Sequence, residues 1–127
     1  MEKTALVSGL MRSILICDDR AEVRRELAKV LRGGSSHPVH VLALPDGHAL
    51  LDAYYATVNR LVLIGIHSDA SIGIEATDLL LEMHPAAAAI VFGSIADIDL
   101  LSAAYARGCT GLMLWEPAKR LPYNSVP

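Results

Sequence analysis

Cysteine is scarce in this sequence, with only Cys17 and Cys109 among 127 residues. Both sit in apolar surroundings, without CxxC spacing or a nearby histidine at ligand spacing. This argues against a disulfide framework or a structural metal and for buried, reduced thiols in a cytosolic protein. Long apolar runs are missing too. None approaches the ~20 residues of a membrane span, and residues 1–11 lack the basic region and cleavage site of a signal peptide. The expected setting is cytoplasmic, with no membrane partner. Positive charge is not in excess: the formal net charge is −3. The chain therefore has no electrostatic footprint for nucleic acid, and any DNA binding needs a further part of a longer protein.

Catalytic signatures are equally absent. There is no GxSxG elbow and no GxxxxGK[ST] loop, and the glycines at 33 and 34 read as helix termination rather than a phosphate cradle. His37, His40, His48, His67 and His84 form no i, i+4 pair with a neighbouring carboxylate on a helix, which speaks against zinc. The expectation is a protein without enzymatic activity, cofactor or metal.

What is present is a compact globular composition, 53% apolar and 20% charged, of a length that suits one hydrophobic core. Short unbroken apolar runs at 13–17, 39–44, 61–66, 88–92 and 111–114 read as strands buried on both faces. Between them lie amphipathic stretches. Val23, Leu27, Val30 and Leu31 make one helical stripe over 20–31. Asp46 caps a second helix through Leu50, Leu51 and Tyr54. A third runs from about 72 to 83 before Pro85, and a fourth covers 97–106, closed by Gly108. Residues 1–12 read as a disordered leader, 13–117 as one domain, and 118–127, with Pro122 and Pro127, as a tail or the start of a linker. The alternation predicts an α/β doubly wound parallel sheet. In such sheets ligands gather beyond the carboxyl ends of the strands, which singles out Asp18, Asp19, Gly65, His67, Gly93, Ser94 and Trp115.

Residues 14–19, Ile-Leu-Ile-Cys-Asp-Asp, followed by a charged amphipathic helix, resemble the opening of a response-regulator receiver domain. The run Leu61–Ile66 with Gly73-Ile74-Glu75 a loop later resembles that family's third strand and loop, and residues 106–117 resemble its fifth strand and following turn. The resemblance spans roughly 13–117 and is nearest to receivers that precede a helix-turn-helix domain. It implies a CheY-like (flavodoxin-like) five-stranded sheet of order 2-1-3-4-5. It also implies a chemistry: an acidic pair and an aspartate after the third strand hold Mg²⁺, and that aspartate attacks phosphorus. A hydroxyl after the fourth strand and a lysine after the fifth bind the product, and an aromatic in the fifth strand reports the change.

Only the acidic pair, Asp18 and Asp19, matches. The phosphoacceptor position is Gly65, the hydroxyl position Gly93 with Ser94 next to it, the lysine position Trp115, and the switch aromatic Leu112. Asp69 is a poor substitute, because moving it into place disturbs the spacing to Gly73. The sequence therefore reads as an atypical receiver acting without aspartyl phosphorylation. It would be the regulatory part of a bacterial transcription regulator, touching DNA only through a helix-turn-helix domain outside this sequence. A homodimer face is expected from Asp97, Leu101, Tyr105, Leu112 and Leu114, with the fifth helix missing or displaced. Two alternatives stand beside this reading. One is a small-molecule effector bound in a pocket lined by Gly65, His67, Gly93, Ser94 and Trp115 and enlarged by the lost side chains. The other is a constitutive interaction scaffold. For the single residues, blander roles are open: Asp18 and Asp19 capping the first helix or pairing with Arg20 or Arg24, His67 in a solvated loop, and Trp115 as packing.

Overall fold

The structure is a computed structural model describing residues 12–34 and 38–118. The order is β1 (Arg12–Cys17), α1 (Ala21–Gly34), β2 (Val39–Leu44), α2 (Gly47–Ala56), β3 (Arg60–Gly65), α3 (Ile72–Met83), β4 (Ala89–Gly93), a 3-10 turn (Ile95–Asp97), α4 (Ile98–Tyr105) and β5 (Gly111–Leu114). All four strand pairings are parallel, and the sheet runs β2-β1-β3-β4-β5. This is the order the resemblance implied.

The period of two in the strands divides the core into two layers. Leu15, Val62, Ile64 and Val91 face α2, α3 and α4, meeting Leu50, Leu80 and Leu101 there. Ile14, Ile16, Leu63 and Phe92 face the other way, against Val23, Leu27 and Ala28 of α1. Each of these large apolar side chains contributes about 1.5–3 kcal/mol on leaving water. Continuous apolar strands are thus the consequence of helices on both faces. The second layer is thinner: Leu61, Ile90, Met113 and Trp115 pack against it but stay only partly buried. Among the described residues no helix follows β5, and the stretch where a fifth would begin lies outside them.

Several boundaries differ from the expectation. β1 starts at Arg12, one residue inside the expected leader, because Arg12 pairs with Val39. Gly33 and Gly34 are the last two residues of α1, which ends where the glycines were expected to end it. Val30 is 53% exposed, so the buried stripe of α1 is Val23, Leu27 and Ala28. β3 and β4 each shift by one residue, to Arg60–Gly65 and Ala89–Gly93. The expected helix over 97–106 divides in two: Ser94 accepts from the Ala96 N–H at 3.0 Å and starts a 3-10 turn, and α4 proper begins at Ile98. Asp46 does cap α2, accepting from the Ala49 N–H at 2.9 Å. Cys17 and Cys109 are free and buried. No helix among the described residues is long and apolar enough to cross a membrane.

Candidate functional site at the carboxyl edge of the sheet

Register brings the candidate residues together. Cys17 pairs with Ile64, Gly65 with Phe92, and Gly93 with Leu114. The residue after Cys17 therefore lies beside the residue after Ile64, so Asp18 neighbours Gly65. Beyond these strand ends Ile66 N–H still donates to Phe92 O at 2.9 Å and Trp115 N–H to Gly93 O at 2.8 Å.

Asp18 is the most constrained polar group of the site, with a side chain that has no exposed surface. A buried carboxylate needs a cation and donors, and Arg20 supplies both. Its backbone N–H and its Nε reach Oδ1 at 2.9 and 3.0 Å, and its terminal nitrogen reaches Oδ2 at 2.8 Å. Such a two-pronged pair is the strong form of the charge-assisted hydrogen bond. The hydrogen bonds to Asp18 raise the Arg20 guanidinium above its ordinary value, outweighing the burial that lowers it. Arg24 secures the same turn from α1, donating to the Asp18 carbonyl at 2.8 Å. Pairing of Asp18 with Arg20, one of the roles left open by the sequence, is what the fold contains.

Asp19 points elsewhere. His67, just beyond β3, brings Nε2 within 2.7 Å of Asp19 Oδ1. The Asp69 N–H donates to His67 Nδ1 at 3.3 Å, which makes Nδ1 the acceptor and places the proton on Nε2, facing Asp19. Burial raises the Asp19 carboxyl, but the hydrogen bond from His67, with help from Arg20, holds it below the usual carboxylate range. His67 is itself only 9% exposed, so the solvated-loop reading of this residue is corrected. Ligand atoms of Asp18, Asp19 and His67 lie within 4.8 Å of one another; Asp69 is not part of that group.

The two glycines are closed rather than hollow. A Cβ on Gly65 would lie 1.7 Å from Asp18 Oδ2 and 3.0 Å from the Phe92 ring. One on Gly93 would lie 2.6 Å from the Ile66 carbonyl oxygen and 3.3 Å from Leu101. Both vacated Cβ positions have been filled by neighbours, so at Gly65 the lost side chain opens no cavity. A cleft of about 530 Å³ does exist next to them, lined by Arg20, His67, Ser94, Asp97 and Trp115 among others. Gly93 borders it, whereas Asp18 and Gly65 do not. Trp115 does two things: its indole meets the Phe92 ring edge-on at 5.9 Å, and it walls the cleft.

No protein-family profile and no curated protein matches the sequence. Solved structures do. NtrX from Brucella abortus superposes with a TM-score of 0.70 at 22% identity over 87% of this chain and 25% of the NtrX chain. The receiver domain of the same NtrX gives 0.68 at 24% identity, over 84% of this chain and 87% of that one. The N-terminal signal receiver domain of a two-component response regulator from Bacteroides fragilis gives 0.70 at 19%, again over 84% and 87%. The fold is that of a response-regulator receiver domain. This chain spans about a quarter of the longer NtrX chain.

Within the receiver fold, the Mg²⁺ site implied by the resemblance can be tested against the residues present. They do not fit it. The third carboxylate is missing at Gly65, and both oxygens of Asp18 are committed to Arg20. Ser94, one place past the expected hydroxyl position, accepts the Ala96 N–H in the cap of the 3-10 turn, which leaves its O–H free to donate. The expected dimer face needs one correction. Leu101 is wholly buried under β4, and its neighbour Leu100 takes the surface position at 37% exposure. Tyr105 and Leu114 are exposed, while Asp97 and Leu112 are intermediate.

The sequence reading missed the His67–Asp19 link because the two residues belong to separate loops and no local spacing connects them. Arg20 carried a local signal, standing two residues after an aspartate at a helix start.

Proposed function

We propose that this chain is the regulatory receiver module of a cytoplasmic bacterial transcription regulator and that it signals without aspartyl phosphorylation. One observation carries the reading: residue 65, where receiver chemistry requires a nucleophile, is a glycine whose side-chain space holds the Asp18 carboxylate. Nothing at that position attacks phosphorus. The module then works by contact, as a conformational or oligomeric switch set by a partner. In this reading it is not an enzyme. Self-association uses the α4–β5 side, where Tyr105 and Leu114 offer exposed apolar surface. DNA is reached only through a helix-turn-helix domain elsewhere in a longer chain; that the match covers a quarter of the NtrX chain fits a module within a longer protein. The test is treatment with acetyl phosphate, or beryllofluoride, and Mg²⁺, read by intact mass and thermal midpoint. No change is expected, and an acyl phosphate on this protein overturns the proposal.

A second reading, a small-molecule sensor, is favoured by the cleft, whose volume of about 530 Å³ lies in the range of ligand pockets. A thermal-shift screen of metabolites distinguishes the two. Stabilisation that is lost on Trp115→Ala supports the sensor; a dimer indifferent to every compound points instead to a constitutive scaffold.

A further inference from the structure

We infer that Arg20 is the resident cation of this site: its guanidinium stands in for a divalent ion on the acidic pair, and the pair it forms holds Asp18 in the room that a side chain at residue 65 would need. The inference deepens the reading above, sharing its Gly65 geometry, but concerns cation exchange rather than phosphorylation.

Charge balance motivates it. The Asp18 side chain is completely buried, and an ionised carboxylate so placed requires a positive partner within contact distance. A bound metal or a side chain meets that requirement equally well. Here the side chain has won: three donors of Arg20 engage the two Asp18 oxygens at 2.8–3.0 Å. A metal ion would have to displace a guanidinium already tethered to the site, since Arg20 is two residues away on the same turn.

Space gives the second, independent argument. The 1.7 Å approach of Asp18 Oδ2 to a Cβ at position 65 is far inside any contact distance. Asp18 is held there by the fork of Arg20, so the ion pair in this position requires glycine at residue 65. The loss of the nucleophile and the loss of the metal are then one structural event. Restoring either alone leaves the other in the way.

The donors that remain define what would bind if Arg20 were removed. Asp18, Asp19 and His67 present two carboxylates and an imidazole within 4.8 Å. The two carboxylates suit a hard divalent ion such as Mn²⁺, and the added imidazole nitrogen favours a transition metal over Mg²⁺.

Two experiments on the full chain test this. In the first, Mn²⁺ is titrated calorimetrically into wild type, Arg20→Ala, and Arg20→Ala with His67→Ala. Arg20→Ala should bind Mn²⁺ at least roughly tenfold more tightly than wild type, and the gain should vanish with His67. Equal affinity of wild type and Arg20→Ala overturns the inference. In the second, Gly65→Ala is introduced into wild type and into Arg20→Ala, and unfolding in urea is measured. The substitution should be strongly destabilising only while Arg20 is present, giving a coupling of about tenfold or more in the unfolding equilibrium constant. Additive effects overturn the inference. Neither outcome depends on whether wild type accepts a phosphoryl group, so failure here is separable from failure of the proposed function.

Discussion

His67 and Asp19 are 48 residues apart in sequence, yet Nε2 of one lies 2.7 Å from Oδ1 of the other. The contact ties the loop after β1 to the loop after β3, and with the Asp18–Arg20 pair it makes the carboxyl edge of the sheet a connected polar layer.

The Asp19–His67 contact sets a pH dependence. The folded Asp19 carboxyl is held below its ordinary value, so the folded state binds that proton less readily than the unfolded chain does. Its contribution to stability is therefore complete above the ordinary carboxylate range and is lost as pH falls through the depressed folded value. His67→Ala should lower stability at neutral pH by about 1 kcal/mol, since the Asp19 end is partly solvated. It should also weaken the acid sensitivity of the thermal midpoint. Acid titrations of wild type and variant, followed by circular dichroism, check both; an unchanged acid limb would count against the assignment.

Putting a hydroxyl back at residue 93 should harm the protein rather than repair it. The Cβ of Gly93→Ser would meet the Ile66 carbonyl at 2.6 Å, and backbone has little freedom to retreat. A destabilisation of about 1–3 kcal/mol is expected, measured by urea unfolding, with no gain of response to beryllofluoride.

Leu100 and Leu101 separate surface from core on α4. Leu101→Ala should cost about 2–5 kcal/mol as a cavity in the main layer, and Leu100→Ala no more than about 0.5 kcal/mol. Leu114→Asp, on a side chain 52% exposed, should leave stability nearly intact and weaken self-association. Sedimentation velocity reads that difference, and a dimer indifferent to Leu114→Asp would place the interface elsewhere.

Burial, reinforced by the negative charge of Asp18, pushes the Cys17 thiol from 9.0 up to about 12. The neutral thiol is thus favoured in the folded state. Its contribution to stability is full below pH 9.0 and declines between there and about 12, where the unfolded thiol ionises and the folded one does not. Native protein should resist alkylation at Cys17 at pH 8, while urea-unfolded protein reacts within the usual time for a free thiol. Mass spectrometry of the labelled peptide settles it.

Much of this protein follows from the order of its residues alone. Apolar runs without polar interruption demand a sheet covered on both sides, and the alternation of runs with amphipathic stretches makes that sheet parallel. The acidic pair after β1, the glycine after Ile64 and the cap at Asp46 were legible because each is a local pattern whose physics acts over a few residues. Element ends were less so: β3 and β4 each lie one residue from the expected bounds, and the helix expected over 97–106 is preceded by a 3-10 turn and starts at Ile98. Which face of α4 is buried depended on one helical position, and the sequence pattern chose Leu101 for the surface when the core required it.

The state of the vacated pocket was decided by tertiary structure. From sequence, a missing side chain at Gly65 or Gly93 is simply less volume. In the fold, strand register places Asp18 beside Gly65 and the Ile66 carbonyl against Gly93, so that volume is taken up by neighbours. The meeting of Asp19 with His67 likewise depends on two loops brought together by parallel pairing of β1 and β3. Local composition specifies which groups are available, but only the pairing of distant strands determines which of them share a dielectric environment and neutralise one another.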